Sequence, residues 1–517
     1  MIRSIIHYFE QQLPGVPVKL CLIAGLLLHF SAAWFSEGFL HPDEHFQILE
    51  FANYAVGKSP ASDLPWEFRS AMRPSLQPLL AAAAYRVTAS AGIANPFFTV
   101  FILRLFTAMA AWLLTLALCV AGFRWLKHGF LKKIMFLFSC FFFYLPCLHC
   151  RFTSENLSGI IFFTGLLVIP FHDFADRNDG APPRQKSKAF IAAGLLMGLA
   201  FFLRFQTGFA IAGLGAWLVA VRRAPAKELV FMAAAFCLMC LIAIGIDRWF
   251  YGFWVVTPWN YFRENILHGA AKNAGVFPWW YYFVELSGDL LPPLSVAILA
   301  AVILSCVKGF RNPLVWAAVP FFIAHCVISH KETRFLLPML YALPPLLVLG
   351  ADALQPPVYA RLKKAASARP VKTVLWFIVV VNFILLAAFT FKPARETITV
   401  YKWFYHKCAA RPLTVLTFNA DPYSIVQLPV NFYRPPQFRL DTVHCAAELV
   451  LKARQAAEPL YVFIEGYYPS DSVRHDEALT WKVECRSIPT WMEHFNIGNW
   501  LSRVHVWTVF AVGRKNG

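Results

Sequence analysis

Residues 18–47, VKLCLIAGLLLHFSAAWFSEGFLHPDEHFQ, join a long apolar run directly to the charged cluster His41-Pro-Asp-Glu44. The run at 18–35 approaches the roughly 20 residues that a helix needs to cross a bilayer. Further apolar runs follow along the chain, and polar clusters again stand at their ends. If these runs cross a membrane, the clusters all reach one side, where they can form a single polar site.

The composition also indicates a membrane protein. Hydrophobic residues make up 58% of the 517 residues and charged residues only 15%, well below the roughly one quarter that is typical of soluble domains. The net charge of +18 would suit nucleic acid, but the basic residues occupy short loops between apolar runs. We therefore predict membrane lipids, and no nucleic acid, as partners of this charge.

The chain predicts an all-α polytopic membrane domain over residues 1–391, with about eleven transmembrane helices by the length criterion. Several of the runs lie near the lower limit of about 17 residues. The predicted spans are 18–35, 97–122, 133–150, 156–172, 188–203, 206–221, 229–247, 290–307, 313–329, 335–351 and 373–391.

The basic residues predict one orientation. With the N-terminus in the cytoplasm, alternate loops between the spans carry the Lys and Arg residues, as the positive-inside rule requires. These residues are Arg3, Lys19, Arg124, Lys127, Lys132, Lys133, Arg177, Arg184, Lys186, Lys188, Arg222, Arg223, Lys227, Lys308, Arg311, Arg361, Lys363, Lys364, Arg369 and Lys372. The exterior side then receives loops 36–96 and 249–289. The first span lacks a small-residue cleavage site and is read as a retained helix.

The tail, residues 392–517, has strand-length apolar runs at 413–418, 460–464 and 504–512. They predict a small extracytoplasmic mixed α/β domain. Its location would permit disulfides among Cys408, Cys445 and Cys485, with one cysteine left over. The C-x-x-C pairs at 147–150 and 237–240 lack the partners of a zinc site and are read as packing residues.

His41-Pro-Asp-Glu44 follows the first span, so Asp43 and Glu44 are expected at the exterior interface. Adjacent carboxylates beside histidines can supply a general base or metal ligands. The alternative is a helix start, because Pro42 followed by acids suits the positive end of a helix dipole.

A second charged cluster, His330-Lys-Glu-Thr-Arg334, lies between two apolar runs. Its cations suit a phosphate or diphosphate, with Lys as a point charge and Arg as a fork. The alternative is a hairpin turn with snorkelling cations. Arg204 interrupts another apolar stretch, where a charge by default marks a functional site. Asp247 and Arg248 would pair with each other in the simpler interpretation, and the aromatic loop 254–280 suits either an interface belt or sugar stacking.

Together these motifs resemble glycosyltransferase family 22, polyprenyl- or dolichyl-phosphate-mannose-dependent mannosyltransferases of GT-C architecture that include enzymes of GPI-anchor and lumenal N-glycan assembly. The resemblance runs in the family's order over residues 41–338. It rests on His41-Pro-Asp-Glu-His-Phe-Gln47, Trp66-Glu67, Arg73, Pro78, Arg104-Leu105, Arg151 through Glu155, Arg204, Asp247 through Gly252, Thr257-Pro-Trp-Asn260, Asn265, Pro278-Trp279, His330-Lys-Glu-Thr-Arg-Phe335 and Pro338. Thr333, Arg248 and Pro74 depart from the family pattern, which affects the expected acceptor. Short loops favour a bacterial inner membrane with a periplasmic site and an undecaprenyl carrier; a eukaryotic protein would lie in the ER membrane with a lumenal site.

The resemblance implies an inverting transfer of mannose from a polyprenyl-phosphate sugar to a hydroxyl of a glycan or glycolipid acceptor. Asp43 is the expected base, with Glu44 as its partner or substitute, and Lys331, Arg334 and Arg204 are expected to stabilise the leaving phosphate. The implied substrate-binding residues are His41, Arg73, Arg151, Arg204, Asp247, Trp279, His330, Lys331, Glu332 and Arg334. No cofactor is expected; a divalent cation is possible but not indicated, since its ligands would have to be the same carboxylates.

Two alternatives remain. The first is a GT-C transferase of another lipid-linked sugar, such as an aminosugar or arabinose. The second is a lipid or solute transporter. Transporters often show two related halves, but no second half repeats the first in this sequence.

Overall fold

The long apolar stretches are helical in the computed structural model, which describes residues 2–170, 183–290, 292–418, 420–456, 458–469 and 479–514. The chain forms two compact units. The helical unit comprises Met1–Phe35, Trp66–Leu79 and Ile102–Lys392. The mixed unit comprises Ser36–Pro65, Leu80–Phe101 and Pro393–Gly517.

The α-helices follow one another with short connections. The first twelve are α1 Ile2–Gln12, α2 Val18–Phe35, α3 Pro42–Glu44, α4 Phe51–Ala55, α5 Trp66–Arg69, α6 Leu76–Ser90, α7 Pro96–Trp125, α8 Gly129–Phe141, α9 Tyr144–His149, α10 Ser154–Val168, α11 Pro183–Leu203 and α12 Thr207–Ala220. The next twelve are α13 Ala226–Tyr251, α14 Thr257–Phe262, α15 Ala270–Asn273, α16 Tyr281–Asp289, α17 Leu294–Lys308, α18 Pro313–Val327, α19 Leu343–Asp352, α20 Pro356–Ala366, α21 Arg369–Phe391, α22 Ile398–Ala410, α23 Ala446–Gln455 and α24 Thr490–Glu493.

Five helices of the described residues are long and apolar enough to cross a membrane, or six if the bent pair α17 and α18 forms one span. They are Val18–Phe35, Pro96–Trp125, Ala226–Tyr251, Thr333–Asp352 and Arg369–Phe391. Three shorter apolar helices are Ser154–Val168, Ser187–Leu203 and Thr207–Ala220. The prediction of a helical membrane protein is thus confirmed, whereas the predicted count of eleven spans is not confirmed.

A break divides one predicted span, and another span of full length starts in a tighter helix. The predicted span 133–150 divides into α8 and α9, because Phe142 adopts an extended conformation between them. The predicted span 335–351 starts as a 3₁₀ helix, Thr333–Ala342, with Pro338 inside it. Proline removes a backbone donor and disfavours α geometry, so a tighter helix is tolerated here. Residues 171–172 of another predicted span, Arg177, and the side chains of Arg184 and Lys186 lie outside the described residues.

A five-stranded sheet forms the centre of the mixed unit. Its strands are β1 Leu413–Thr417, β4 Phe438–Thr442, β5 Leu460–Glu465, β6 Leu479–Arg486 and β7 Trp507–Arg514; the short pair β2 Ser424–Ile425 and β3 Leu428–Pro429 lies apart. The order is β4-β1-β5-β7-β6, with β1 parallel to β4 and β5, and β7 antiparallel to β5 and β6. Leu449 of α23 packs with Val462 and Phe510 of the sheet in a buried apolar core.

Residues 36–96, predicted as the first exterior loop, contain α3 to α6 and the start of α7. Residues 36–65 and 80–101 also group with 393–517, which differs from the predicted division at residue 391. The reason is polar and aromatic contact: Glu37 pairs with Lys402, and Phe97 stacks on Tyr433 at 4.9 Å.

No disulfide joins Cys408, Cys445 and Cys485, all three of which the structure describes. Cys408 is buried and Cys445 is exposed, so these two differ in environment. Cys147 and Cys150 are buried, and the Cys150 thiol donates to the Cys147 carbonyl at 3.0 Å, as expected of packing residues.

Candidate active site

Both carboxylates of the His41-Pro-Asp-Glu44 motif stand in the short helix α3 of the mixed unit. His41 precedes this helix, and its Nδ1 accepts the Asp43 backbone N–H at 3.2 Å. The Glu44 carboxylate accepts the Leu40 N–H at 3.3 Å. A helix thus starts at Pro42, as the alternative interpretation allowed, and the predicted site roles of His41 and Glu44 stay predictions. Asp43 is half-buried, with its carboxylate 3.6 Å from the His41 ring, and its role as base stays a prediction.

Sequence reasoning missed Glu50, which lies six residues after Glu44. The Glu50 carboxylate accepts from His45 Nε2 at 2.7 Å and from the Phe432 backbone N–H at 2.9 Å. His45 and Glu50 are fully buried. A charged residue within the apolar stretch 48–56 was the available signal, because buried charges need partners.

Arg73 occupies a segment of the helical unit that several hydrogen bonds fix in place. Its carbonyl accepts from the Tyr251 hydroxyl at 2.7 Å, and Asn260 donates to the carbonyls of Ser70 and Ala71 at 3.2 and 3.1 Å. The Arg73 guanidinium lies 3.7 Å from Glu67 and 5.5 Å from the centre of the Tyr261 ring. The segment thus presents one cation on an aromatic face.

Asp247 fixes the turn that follows Arg73. Its Oδ1 accepts the backbone N–H of Ser75 at 2.8 Å and the Ser75 hydroxyl at 2.7 Å, and Oδ2 accepts the Thr257 hydroxyl at 2.7 Å. The residue is 1% exposed. Both oxygens bind the protein, so Asp247 positions the Ser75 turn in this structure, and its role as a substrate ligand stays a prediction. Its predicted pairing with Arg248 is replaced by these contacts.

Arg204 pairs with a second carboxylate that sequence reasoning did not assign to the site. Its guanidinium lies 3.2 Å from Glu155, and both side chains are buried. Glu155 was visible only as the last residue of the motif starting at Arg151. Arg151 is itself buried, and its carbonyl accepts from Asn156 at 2.8 Å.

The His330–Arg334 cluster is organised around Glu332. Its carboxylate accepts from His330 Nε2 at 2.9 Å and from Arg334 Nε at 2.5 Å. Lys331 is 2% exposed and donates to the carbonyls of Phe277 and Ile328 at 3.0 and 2.5 Å. Burial lowers the pKa of the Lys331 ammonium. A snorkelling lysine would reach water, so the hairpin alternative does not describe Lys331.

Two of these cations, Arg204 and Arg334, share one aromatic ring of the helical unit. The guanidinium carbons of Arg204 and Arg334 lie 5.1 and 5.3 Å from the centre of the Phe335 ring. Gln206 donates to the hydroxyl of Tyr261, the ring under Arg73, at 2.6 Å. Tyr261 and Phe335 were missed as site residues although they stand in or beside the motifs. Trp279, by contrast, is 66% exposed.

Two guanidinium groups of this network retain donor capacity. The Nε atoms of Arg73 and Arg204 are buried and have no hydrogen-bond partner among the described residues. A buried donor without a partner costs about 1–3 kcal/mol, and a bound anion would remove this cost. The arrangement can therefore bind an anionic group. Within the described part of the chain, no three His, Cys, Asp or Glu side chains cluster as metal ligands would.

A family model described as the Alg9-like mannosyltransferase family matches residues 20–436. The chain belongs to this family. It is 25% identical over 311 residues to "Mannosyltransferase APTG1" of Arabidopsis thaliana, covering 58% of this chain and 53% of that protein. It is 26% identical over 308 residues to "GPI alpha-1,2-mannosyltransferase 3" of Xenopus laevis, covering 58% and 54%. The chain thus spans about half the length of these relatives.

Among solved structures, the chain is similar to ArnT from Cupriavidus metallidurans bound to undecaprenyl phosphate. The TM-score is 0.51 at 13% identity, and the match covers 95% of this chain and 97% of ArnT. ArnT is a GT-C enzyme, so the structural similarity supports the predicted GT-C fold. Together with the apolar helices, it indicates that this chain is an integral membrane protein.

Proposed function

We propose that this protein is an inverting membrane mannosyltransferase. It takes mannose from a polyprenyl-phosphate carrier and transfers it to a hydroxyl of a glycan or glycolipid acceptor at the exterior face. Family membership supports the reaction class. The observation that carries the proposal is the buried Nε atoms of Arg73 and Arg204, which have no hydrogen-bond partner among the described residues and suit a phosphate.

In the proposed reaction Asp43 removes the proton of the acceptor hydroxyl. The hydroxyl oxygen then attacks the anomeric carbon of mannose, and the bond from that carbon to the carrier phosphate breaks with inversion. The electron pair of the broken bond leaves with the phosphate, whose negative charge increases. Glu44 accepts the Leu40 N–H, which favours Asp43 over Glu44 as base. A positioned base accelerates such a step by about 100- to 10,000-fold.

The cations stabilise the leaving phosphate in this proposal. Lys331 is a buried point charge, and Arg204 and Arg334 present two guanidinium groups at one ring. Charges that meet a growing anion in a site with little water contribute strongly to catalysis. Glu332 holds Arg334 through Nε and one outer nitrogen, which fixes the orientation of the planar guanidinium group.

The proposed carrier is undecaprenyl phosphate, and the proposed location is a bacterial inner membrane with the site in the periplasm. ArnT, with a similar fold, has been crystallised with undecaprenyl phosphate. The short loops of this chain and the parity of its basic residues support the same assignment.

The test uses purified protein in lipid nanodiscs with polyprenyl phosphates that carry radiolabelled mannose, an aminosugar or arabinose. Membrane glycolipid extract serves as acceptor. We expect labelled product from the mannose donor, about 100- to 10,000-fold slower product formation by Asp43→Asn, and normal product from Asp441→Asn, a control on an exposed carboxylate that pairs with Lys452. Preference for another sugar would overturn the donor assignment, and product from none of the three would overturn the proposed reaction.

A further inference from the structure

The segment that carries Asp43 is built onto residues 393–433 of the mixed unit. Its contacts lie on both sides of Asp43 in the sequence: residues 37–39 before it and residues 45–50 after it. These contacts suggest a function for the C-terminal part of the chain that the proposed reaction does not itself require.

The contact after Asp43 is a buried hydrogen-bonded pair. His45 Nε2 lies 2.7 Å from the Glu50 carboxylate, and the Phe432 backbone N–H donates to the same oxygen at 2.9 Å. A carboxylate only accepts, so His45 must carry its proton on Nε2. Removing one partner of a buried pair leaves an uncompensated polar group, which is strongly unfavourable. Glu50 therefore ties two distant backbone segments together.

The helix geometry supports this tie. Residues His45–Glu50 form a π-helix, whose wider turn brings residues five apart to the same side. Such π segments are rare and frequently occur at functional sites. A regular α-helix would separate His45 from Glu50 around its axis. The π-helix therefore allows His45 and Glu50 to form their hydrogen bond. It directly follows α3, the helix that carries Asp43.

Two aromatic rings pack against His45. Its ring stacks on Phe39 and on Tyr433, each at 5.4 Å between centres. Tyr433 in turn stacks on Tyr401 at 6.0 Å. His45 is 0% exposed within this stack, so the start of the π-helix has little freedom to move.

The contact before Asp43 is formed by Glu37 and Gly38. The Glu37 carbonyl accepts the Arg395 N–H at 3.1 Å, and its carboxylate pairs with Lys402. Gly38 has φ +82°, and a Cβ there would lie 2.9 Å from the Arg395 Cβ. Glycine is required for this approach. α3 continues without a break into the π-helix His45–Glu50, so the anchors before and after Asp43 fix the position of α3.

We propose that Glu50 is a positioning residue that, with His45 and residues 393–433, holds Asp43 in place for proton removal. This inference rests on the proposed function of Asp43 as base. The C-terminal part of the chain then contributes to catalysis by fixing the base, without itself contacting the reacting atoms.

Kinetics of the full-length protein in nanodiscs test the inference. Glu50→Gln keeps the shape but removes the charge, and we expect kcat to fall about 10- to 100-fold, as misplacement of a reacting group does. The KM for polyprenyl-phosphate mannose should stay unchanged. Glu458→Gln, on an exposed carboxylate that pairs with Arg411, is the matched control with normal kcat. If Glu50→Gln does not fold, Lys402→Met tests the inference instead, because it removes the partly exposed ion pair with Glu37. We expect a smaller fall in kcat for this variant.

A double variant separates positioning from stability. In Asp43→Asn the base is absent, so adding Glu50→Gln should not lower the residual rate further. A further fall by the full factor would show that Glu50 acts independently of Asp43 and would overturn this inference alone. Normal kcat in Glu50→Gln with a lower melting temperature would do the same. Wild-type activity in Asp43→Asn would overturn the proposed base and the inference together.

Discussion

The Asp247 carboxylate accepts both the backbone N–H and the hydroxyl of Ser75, a residue 172 positions earlier in the chain, at 2.8 and 2.7 Å. The bonds close the turn that follows Arg73 against the end of α13. The geometry of one proposed phosphate ligand is therefore set by a carboxylate whose two oxygens both bind the protein.

Replacing Asp247 should affect both stability and donor binding. Asp247→Ala leaves the Ser75 N–H buried without its acceptor, which costs about 1–3 kcal/mol. We expect a lower melting temperature and a higher KM for the lipid-linked donor, with a smaller effect in Asp247→Asn, which keeps one acceptor. Thermal unfolding and steady-state kinetics check this. An unchanged KM in Asp247→Ala would contradict the positioning role.

The two carboxylates of α3 should differ in their effect on the rate. Asp43→Asn should lower kcat by on the order of 100- to 10,000-fold, because an amide cannot accept the proton. Glu44→Gln should retain more than about a tenth of the rate, since Gln still accepts the Leu40 N–H. The assay is transfer of radiolabelled mannose. The reverse ranking of the two variants would assign the base to Glu44.

The cations of the 330–334 cluster should act on the same phosphate. Lys331→Ala and Arg334→Ala should each weaken donor use by about 1.5–3 kcal/mol, the contribution of one hydrogen bond to a charged group. The double variant should lose less than the sum, because groups that share a ligand are coupled. Lys308→Ala, at an exposed lysine of the same unit, serves as the control. Additive losses in kcat/KM would mean that the two cations bind separate groups.

The lowered pKa of Lys331 predicts an early alkaline limit of activity. Burial disfavours the charged ammonium, so Lys331 loses its proton below the ordinary lysine value of about 10.4. The cation is present at lower pH and is lost as the pH rises, so kcat/KM should fall on that side. Lys331→Arg keeps its charge and should move the limit to higher pH. An identical profile in both proteins would exclude Lys331 as the titrating group.

The orientation is tested by reporter fusions. The parity of basic loops predicts that a reporter active only outside the cytoplasm works after Lys392 or within residues 59–64. The same reporter should be silent within residues 180–186. Activity at 180–186 would reverse the proposed orientation and move the proposed site to the other face of the membrane.

The sequence by itself determined the membrane class, the family and the motifs. Apolar runs such as 18–35 and 373–391 fold as α2 and α21 because a continuous apolar helix satisfies its own backbone in lipid. His330, Lys331 and Arg334 were visible because charges next to apolar runs are rare. The helix geometry within short apolar runs was harder to predict, since a break at Phe142 or a 3₁₀ helix over Thr333–Ala342 leaves the apolar composition unchanged.

Only the tertiary structure decided which polar groups, of side chains or backbone, contact one another. Asp247 and Ser75, Arg204 and Glu155, and Glu50 and Phe432 are pairs of residues far apart in sequence. Local periodicity contains no information about such pairs, because it reports which side of a helix is apolar but not what packs against it. The role of Asp247 as a positioning residue, and the attachment of the Asp43 segment to residues 393–433, follow from these long-range bonds alone.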